Sequence, residues 1–480
     1  MNRSKVFNVL GRISLVHALL LLIPTAVSLI YREKVIYSFL IAIAVSAVLG
    51  LVLSVFVKPK SHVIYAKEGF AIVSLSWLTM SAVGALPFYI SGEIPSYIDA
   101  FFETVSGFTT TGASILTDVE ALSKGLLFWR CFTNWIGGMG VLVFVTAFLP
   151  NVADRSIHIL RAEMPGPTVD KLVPKAKDTA KILYMMYIVM TVLEISLLLC
   201  GGMPLYDSIV HSFSSAGTGG FGIKNDSIAG YSAYIQWVIA IGTLFFGVNF
   251  NLYYLLLLRK VKTVFKSTEL WVYGGIVFVS IMIITANIYS LTDGFFEALR
   301  LSVFQVSSII TTAGFSTADF NLWPTLSKSI LLILMLIGAC AGSTGGGLKI
   351  SRAIMLFKLV RMEVKRMIHP RSVSSMRFEG KDVDETTQRS VAVYFGAYMI
   401  SIIAIFFILS FEPFDFETTF TATVTCFNNV GPGFGLVGPM GNFAMFSDFS
   451  TFVLSISMLL GRLEVFPLLI AVTPSVWMKK

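Results

Sequence analysis

The chain has 480 residues, of which 55% are hydrophobic and only 13% charged, and its mean hydropathy is +0.79. Soluble domains carry about 25% charged residues, so composition excludes a soluble enzyme or binding domain and points to an integral membrane protein. The net charge of +8 would suit nucleic acid, but the placement of the basic residues gives it another origin.

Apolar windows are read at 13–30, 35–57, 69–90, 126–149, 180–200, 234–258, 270–290, 327–358, 390–410 and 447–470, about ten in all. A bilayer core of about 30 Å takes roughly 20 such residues as a helix. The first window follows Arg3, Lys5 and Arg12 like a signal peptide. However, no small-residue cleavage site follows, and Tyr31-Arg-Glu-Lys34 leads straight into a second span. The 327–358 window is too long for one span and is interrupted by Gly342-Ser-Thr-Gly-Gly-Gly347. Shorter apolar stretches near 97–111, 205–217, 295–311 and 415–428 lie between spans and read as re-entrant. No polar stretch is long enough to enclose a core of its own, so a regulatory domain would be a separate chain. Cys131, Cys200, Cys340 and Cys426 show no ligand spacing and read as free buried thiols.

Basic residues orient these spans. With a cytoplasmic N-terminus and every long span crossing, the segments 1–12, 58–69, 151–181, 259–269, 349–389 and 471–480 lie inside and hold 28 of the 36 Lys and Arg residues. That is the bias of the positive-inside rule. The charge is therefore topogenic, with some left for anionic lipid or a cytoplasmic partner, and needs no nucleic acid. Both termini fall in the cytoplasm and all four short segments on the outer side.

The short segments align on one glycine each. They read Ser106-Gly-Phe-Thr-Thr-Thr-Gly112, Ser214-Ser-Ala-Gly-Thr-Gly-Gly220, Ser308-Ile-Ile-Thr-Thr-Ala-Gly314 and Thr425-Cys-Phe-Asn-Asn-Val-Gly431. Six positions before the glycine stands Ser or Thr; two before it stand Thr110, Thr218, Thr312 and Asn429. The glycines are 108, 94 and 117 positions apart. The chain thus reads as span, re-entrant segment, span, four times, after a leading hairpin. The boundaries are a hairpin over 1–66 and repeats over 67–178, 179–266, 267–385 and 386–480. The second copy contains GTGGFG, which fits a dinucleotide-binding loop by its letters, but no strand precedes it and its three sisters lack the pattern.

Irregular backbone is tolerated at membrane depth only where it is buried in protein or lines a water-filled path. Four loops entering from one face can meet on an axis and replace the water shell of a cation with carbonyl oxygens. Glycine permits the backbone angles this needs, and each short helix would aim the partial negative charge of its C-terminus at the axis. No loop brings a carboxylate to these positions, which favours a monovalent cation over Ca²⁺.

With Asn134-Trp-Ile-Gly-Gly-Met-Gly140, Gly342-Ser-Thr-Gly-Gly-Gly-Leu-Lys349 and Leu460-Gly-Arg-Leu-Glu464 added to the four loops, the chain resembles the Trk/Ktr/HKT superfamily of potassium transporters over nearly its whole length. The leading hairpin matches the Trk (TrkH-like) branch. The resemblance implies an all-α, multi-pass protein of the cell (inner) membrane, with four non-identical pore repeats around one pore. It also implies a homodimer and a cytoplasmic ring of nucleotide-binding regulatory subunits, TrkA-like. K⁺ is the implied transported and filter-bound ion, with no cofactor on this chain. The implied ion-binding positions are Thr110, Thr111 and Gly112; Thr218, Gly219 and Gly220; Thr312, Ala313 and Gly314; and Asn429, Val430 and Gly431. A glycine rather than a serine at Gly112 implies K⁺ over Na⁺. Asn429 and Pro432 depart from the family pattern, which implies a less uniform filter.

A helix loses about 1 kcal/mol for each interior Gly relative to Ala, so the run containing Gly342, Gly345, Gly346 and Gly347 should unwind its span. The resemblance makes this an intramembrane loop that blocks the pore beneath the filter; otherwise it is a tight helix crossing. Its Walker A likeness fails, because Leu348 intrudes and Ile350 replaces Ser or Thr. Arg462 lies inside the last span, where a central Arg costs about 2.5–3.5 kcal/mol on insertion scales. It is a pore charge or a structural ion pair. Lys349 is a second pore charge or a cytoplasmic anchor. The basic stretch from Arg352 to Arg377 is a solvated topogenic face or a docking surface for the regulatory ring. No nucleophile–base pairing or metal-ligand spacing suggests an enzyme. The main functional alternative to a pore is a K⁺/H⁺ or K⁺/Na⁺ symporter working by alternating access, which often uses inverted repeats; these repeats are parallel.

Overall fold

The computed structural model describes residues 1–57, 65–140, 176–371 and 375–477. The end of the 126–149 span, the larger parts of the basic segments 58–69 and 151–181, and residues 478–480 lie outside the described residues. The described chain is helical except for a short antiparallel hairpin of β1 (Arg377–Phe378) and β2 (Lys381–Asp382).

At the N-terminus α1 (Arg3–Ile30) pairs with α2 (Ile36–Leu51). They meet at Gly11 and Gly50, where a Cβ on Gly11 would crowd the Gly50 carbonyl and the backbone of Ser54. Such small-residue contacts let membrane helices approach closely. The chain continues as α3 (Ala66–Gly84), α4 (Leu86–Ser91), α5 (Tyr97–Phe108), α6 (Lys124–Gly138), α7 (Ala176–Cys200), α8 (Leu205–Gly217), α9 (Ala233–Phe246), α10 (Phe250–Leu257) and α11 (Val261–Val264). Then come α12 (Thr268–Ile288), α13 (Phe295–Ile310), α14 (Thr325–Ile337), α15 (Ile350–Ile368), α16 (Glu385–Leu409), α17 (Phe416–Asn428), α18 (Asp448–Arg462), α19 (Phe466–Val472) and α20 (Pro474–Trp477).

Among the described residues, six helices are long and apolar enough to cross a membrane: Arg3–Ile30, Ile36–Phe56, Ala66–Ser91, Ala180–Cys200, Thr268–Leu291 and Glu385–Leu409. Two windows expected as continuous spans are bent. Residues 234–258 turn by 88° between α9 and α10, and 447–470 turn by 119° between α18 and α19. At the first bend the Asn249 side chain caps the Asn251 N–H and starts a new helix. At the second, Glu464 and Val465 adopt φ of 56° and 65°, and Pro467 opens the next helix. The 327–358 window divides into α14 and α15 around the glycine-rich loop 338–349. Cys131, Cys340 and Cys426 are buried free thiols, but Cys200 is exposed at the end of α7. Large apolar side chains such as Phe278, Ile400 and Phe407 are also exposed, as a lipid-solvated surface allows.

The four short stretches form α5, α8, α13 and α17, of 12, 13, 16 and 13 residues. At 1.5 Å per residue these are about 18–24 Å long, too short to span. Their packing is cyclic. The helix after each short helix packs on the next short helix: α6 on α8, α9 on α13, α14 on α17, and α18 back on α5.

Candidate ion pathway

Each short helix ends in the same way. The N–H groups of Thr111, Gly219, Ala313 and Val430 donate to the carbonyls of Ser106, Ser214, Ser308 and Thr425 at 2.9, 2.8, 2.7 and 2.9 Å. The N–H groups of Thr110, Thr218, Thr312 and Asn429 donate to carbonyls three residues back. These are the paired bonds of a Schellman motif, which normally puts Gly in the left-handed position. Here that position holds Thr110, Thr218, Thr312 and Asn429, with φ of 55°, 51°, 58° and 56°. A β-branched residue there is an outlier, so Thr110, Thr218 and Thr312 carry a strain shared by three loops, whereas Asn429 is of a type that tolerates the left-handed region. The Ser or Thr six positions before the glycine is thus the residue whose carbonyl receives the closing bond.

Two residues on, Gly112, Gly220, Gly314 and Gly431 all have positive φ. A Cβ on Gly112 would collide with the Gly219 carbonyl oxygen, one on Gly220 with that of Ala313, one on Gly314 with that of Val430, and one on Gly431 with that of Thr111. Each glycine therefore abuts the carbonyl just before the next glycine, and the fourth closes on the first. The departure expected of the fourth loop is absent from the turn angles of Asn429, which match the other three; it lies in the side chain. Asn429 Nδ2 donates to Thr111 Oγ1 and to the Met458 carbonyl, both at 2.9 Å, tying the fourth loop to the first and to α18. All four glycines line one mouth of the ring, a cavity of about 350 Å³ that also holds Arg130, Lys224 and Asp226.

Loop 338–349 seats against the opposite end of these turns. The Gly346 N–H donates to Thr312 Oγ1 at 2.6 Å and the Gly347 N–H to the Asn428 carbonyl at 3.1 Å. Thr218 Oγ1 donates to Thr344 Oγ1 at 3.2 Å. A Cβ on Gly346 would strike the Asn428 carbonyl, so glycine is needed for this approach. Gly342 stands aside from the ring, its carbonyl accepting from Phe250 N–H at 3.0 Å. Lys349 is 2% exposed and donates to the Gly345 carbonyl at 2.5 Å, so it is not a surface anchor. Arg462 donates to the carbonyls of Thr344, Gly137 and Gly138 at 2.8, 2.6 and 2.9 Å. A membrane arginine here finds its partners in backbone oxygens.

Two ion pairs escaped the sequence. Glu103 on α5 pairs with Arg130 on α6, and both are buried. Glu103 also accepts from Ile115 N–H at 2.9 Å, while Arg130 donates to the Gly222 carbonyl at 2.8 Å and covers the Phe221 ring at 3.6 Å. The pair buckles the first loop to the second. Arg352 pairs with Glu464 at 2.5 Å and lies over the Tyr394 ring. Arg352 is buried, so the first residue of the basic stretch is neither a solvated nor a docking charge. Both pairs join residues far apart in sequence; isolated charges in apolar windows were their only signal.

A multi-pass helical protein whose four short helices end in one closed ring of turns has the architecture of a membrane transporter. The sequence profile of the TrkH family, described as a cation transport protein, matches residues 35–273 and 254–478. The chain is 37% identical over 486 residues to "Trk system potassium uptake protein TrkH" of Salmonella typhimurium, covering 99% of this chain and 100% of that one. It is 36% identical over 488 residues to the protein of the same name from Escherichia coli (strain K12), with the same coverage. The crystal structure of the potassium transporter TrkH from Vibrio parahaemolyticus superposes with a TM-score of 0.89 at 31% identity, covering 100% of both chains. The chain belongs to the TrkH family, whose members are cation transporters and not enzymes.

Proposed function

We propose that this protein takes up K⁺ across the cell membrane through a single pore, with the ring of four loops as selectivity filter and loop 338–349 as gate. One observation carries the reading: four loops with the same left-handed turn close on one another, and a glycine-rich loop sits directly against them. The carbonyls of Thr110, Thr111 and Gly112 and of their counterparts in the other loops would replace the hydration shell of K⁺, as carbonyl rings do in K⁺ channels. The four short helices direct their C-termini to the ring and favour a cation there. The cyclic packing supports four repeats over 67–178, 179–266, 267–385 and 386–480. Gly345, Gly346 and Gly347 obstruct the path, and Lys349 and Arg462 add positive charge beneath the filter that repels a cation until the loop moves.

The 350 Å³ mouth faces outward, the termini lie in the cytoplasm, and the host is the inner membrane; the bias of Lys and Arg supports this orientation. The relatives are named as parts of a Trk system, which supports a regulatory partner. We assign that role to a cytoplasmic, nucleotide-binding ring acting on a homodimer of this chain.

The test is ion flux in proteoliposomes with K⁺, Rb⁺ or Na⁺, with and without an imposed H⁺ gradient. A pore passes K⁺ and Rb⁺ down their gradients and excludes Na⁺. K⁺ accumulation driven uphill by H⁺ would establish coupled symport instead.

A further inference from the structure

Glu269 has no part in the function proposed above, yet it is 5% exposed in the first turn of α12. A buried carboxylate at a membrane helix end is costly unless its lone pairs are satisfied. Glu269 Oε1 accepts from the Ala341 N–H at 2.7 Å and from the Ser351 N–H at 3.1 Å. Ala341 lies in the first part of loop 338–349, and Ser351 lies in the first turn of α15 just beyond it. One oxygen therefore fastens both flanks of the segment whose middle, at Gly346 and Gly347, touches the ring.

The same helix end is held from the aqueous side. The Ser267 hydroxyl and the Glu269 N–H donate to Glu379 Oε1 at 3.2 and 2.9 Å. Glu379 sits in the turn between β1 and β2 with φ of 49°. Its carboxylate caps the N-terminus of α12, where a negative charge is favoured. The hairpin is itself packed on α15 and α16 through Phe378, Met376, Met355 and Val391. A continuous set of hydrogen bonds thus runs from the hairpin through α12 to both flanks of the loop.

We infer that Glu269 is a positioning residue that holds loop 338–349 in its seat against the ring, and that Glu379 sets the hold from the hairpin. This rests on the reading of the loop as a gate. Both groups that Glu269 receives belong to the loop and the helix after it, so its removal loosens both flanks of the loop.

Radiolabelled Rb⁺ influx into proteoliposomes of the full chain tests this, with Na⁺ competition run in parallel. Glu269→Ala should raise basal influx about tenfold, the shift expected when a charge-assisted bond is lost from the closed state, with Rb⁺ over Na⁺ discrimination unchanged. Glu269→Gln keeps a carbonyl oxygen for both N–H groups and should stay within about threefold of the unaltered protein. Glu379→Ala should raise influx in the same direction and add nothing to Glu269→Ala in the double variant, as coupled residues behave. Unchanged influx in Glu269→Ala, altered discrimination, or full additivity would overturn the inference. If Glu269→Ala does not fold, the aqueous variant Glu379→Ala decides alone: raised influx supports the inference and unchanged influx overturns it. Deletion of Gly345 and Gly346 separates the two readings. If the deletion opens the pore while Glu269→Ala and Glu379→Ala do not, the hold is wrong and the gate stands. If the deletion leaves influx unchanged, the gate reading itself falls.

Discussion

The Arg462 guanidinium at the end of α18 donates to the Thr344 carbonyl at 2.8 Å, inside the loop that meets the ring. Its other nitrogen reaches the carbonyls of Gly137 and Gly138 at the end of α6. One side chain thereby joins the loop to helices from two quarters of the ring. Three backbone oxygens thus hold its positive charge against loop 338–349.

Replacing Arg462 should therefore open the path in two ways, by freeing the loop and by removing a like charge. Hydrogen bonds to charged groups contribute about 1.5–3 kcal/mol each, so Arg462→Ala should raise Rb⁺ influx by about tenfold or more. Arg462→Lys keeps the charge but lacks the planar fork that spans three carbonyls, and its influx should fall between the two. Equal influx in all three proteins contradicts the clamp.

Gly112→Ser puts a side chain where a Cβ would meet the Gly219 carbonyl, at a φ of 78°. The contact between the first two loops must widen. Discrimination of K⁺ over Na⁺ should fall by about tenfold, equivalent to about 1.4 kcal/mol, measured by competition in proteoliposomes. A selectivity ratio equal to that of the unaltered protein counts against the ring as filter.

The Glu103–Arg130 pair should behave as a buried pair. Removing one partner leaves an uncompensated charge and costs about 3–5 kcal/mol, so Glu103→Gln and Arg130→Met should each lower the unfolding temperature in detergent sharply. The double variant should recover part of the loss. Arg130→Met also releases the Gly222 carbonyl and should weaken ion discrimination, whereas single variants as stable as the parent would contradict the buckle.

Asn429→Ala leaves Thr111 Oγ1 and the Met458 carbonyl without their shared donor. Thr111 Oγ1 keeps its bond to Thr109 Oγ1 at 2.8 Å, so the loss is that of two hydrogen bonds, about 0.5–1.5 kcal/mol each. A lower unfolding temperature and looser K⁺ selection should appear together. Asn429→Thr restores the residue found at this place in the other loops and should keep the turn; loss of the fold in that variant would show that the side-chain bridge, and not the turn, holds the fourth loop.

Much of this architecture was legible in the letters. The alignment of Ser106, Ser214, Ser308 and Thr425 with the four glycines located every short helix and its turn, because a Schellman ending is set by local spacing. The cyclic contacts, such as Gly431 against Thr111, were not legible, since they join residues hundreds of positions apart. Hydropathy also missed the bends. Nothing in the hydropathy around Asn249 and Glu464 marks a break, and their capping and backbone angles end the helices there. Lys349 at the end of a span read equally as anchor or pore charge, and its 2% exposure decides against the anchor. Glu103, Arg130 and Glu269 went unassigned because their partners lie on other elements.

The position of the ion itself decides whether the ring is a filter. A structure determined from crystals grown in Rb⁺, with its anomalous scattering mapped, should show density on the ring axis, bounded by Thr110, Thr218, Thr312 and Asn429 and by the four glycines. Replacing Rb⁺ with Na⁺ should abolish that order. Rb⁺ density absent from the ring and present elsewhere in the protein would contradict the account.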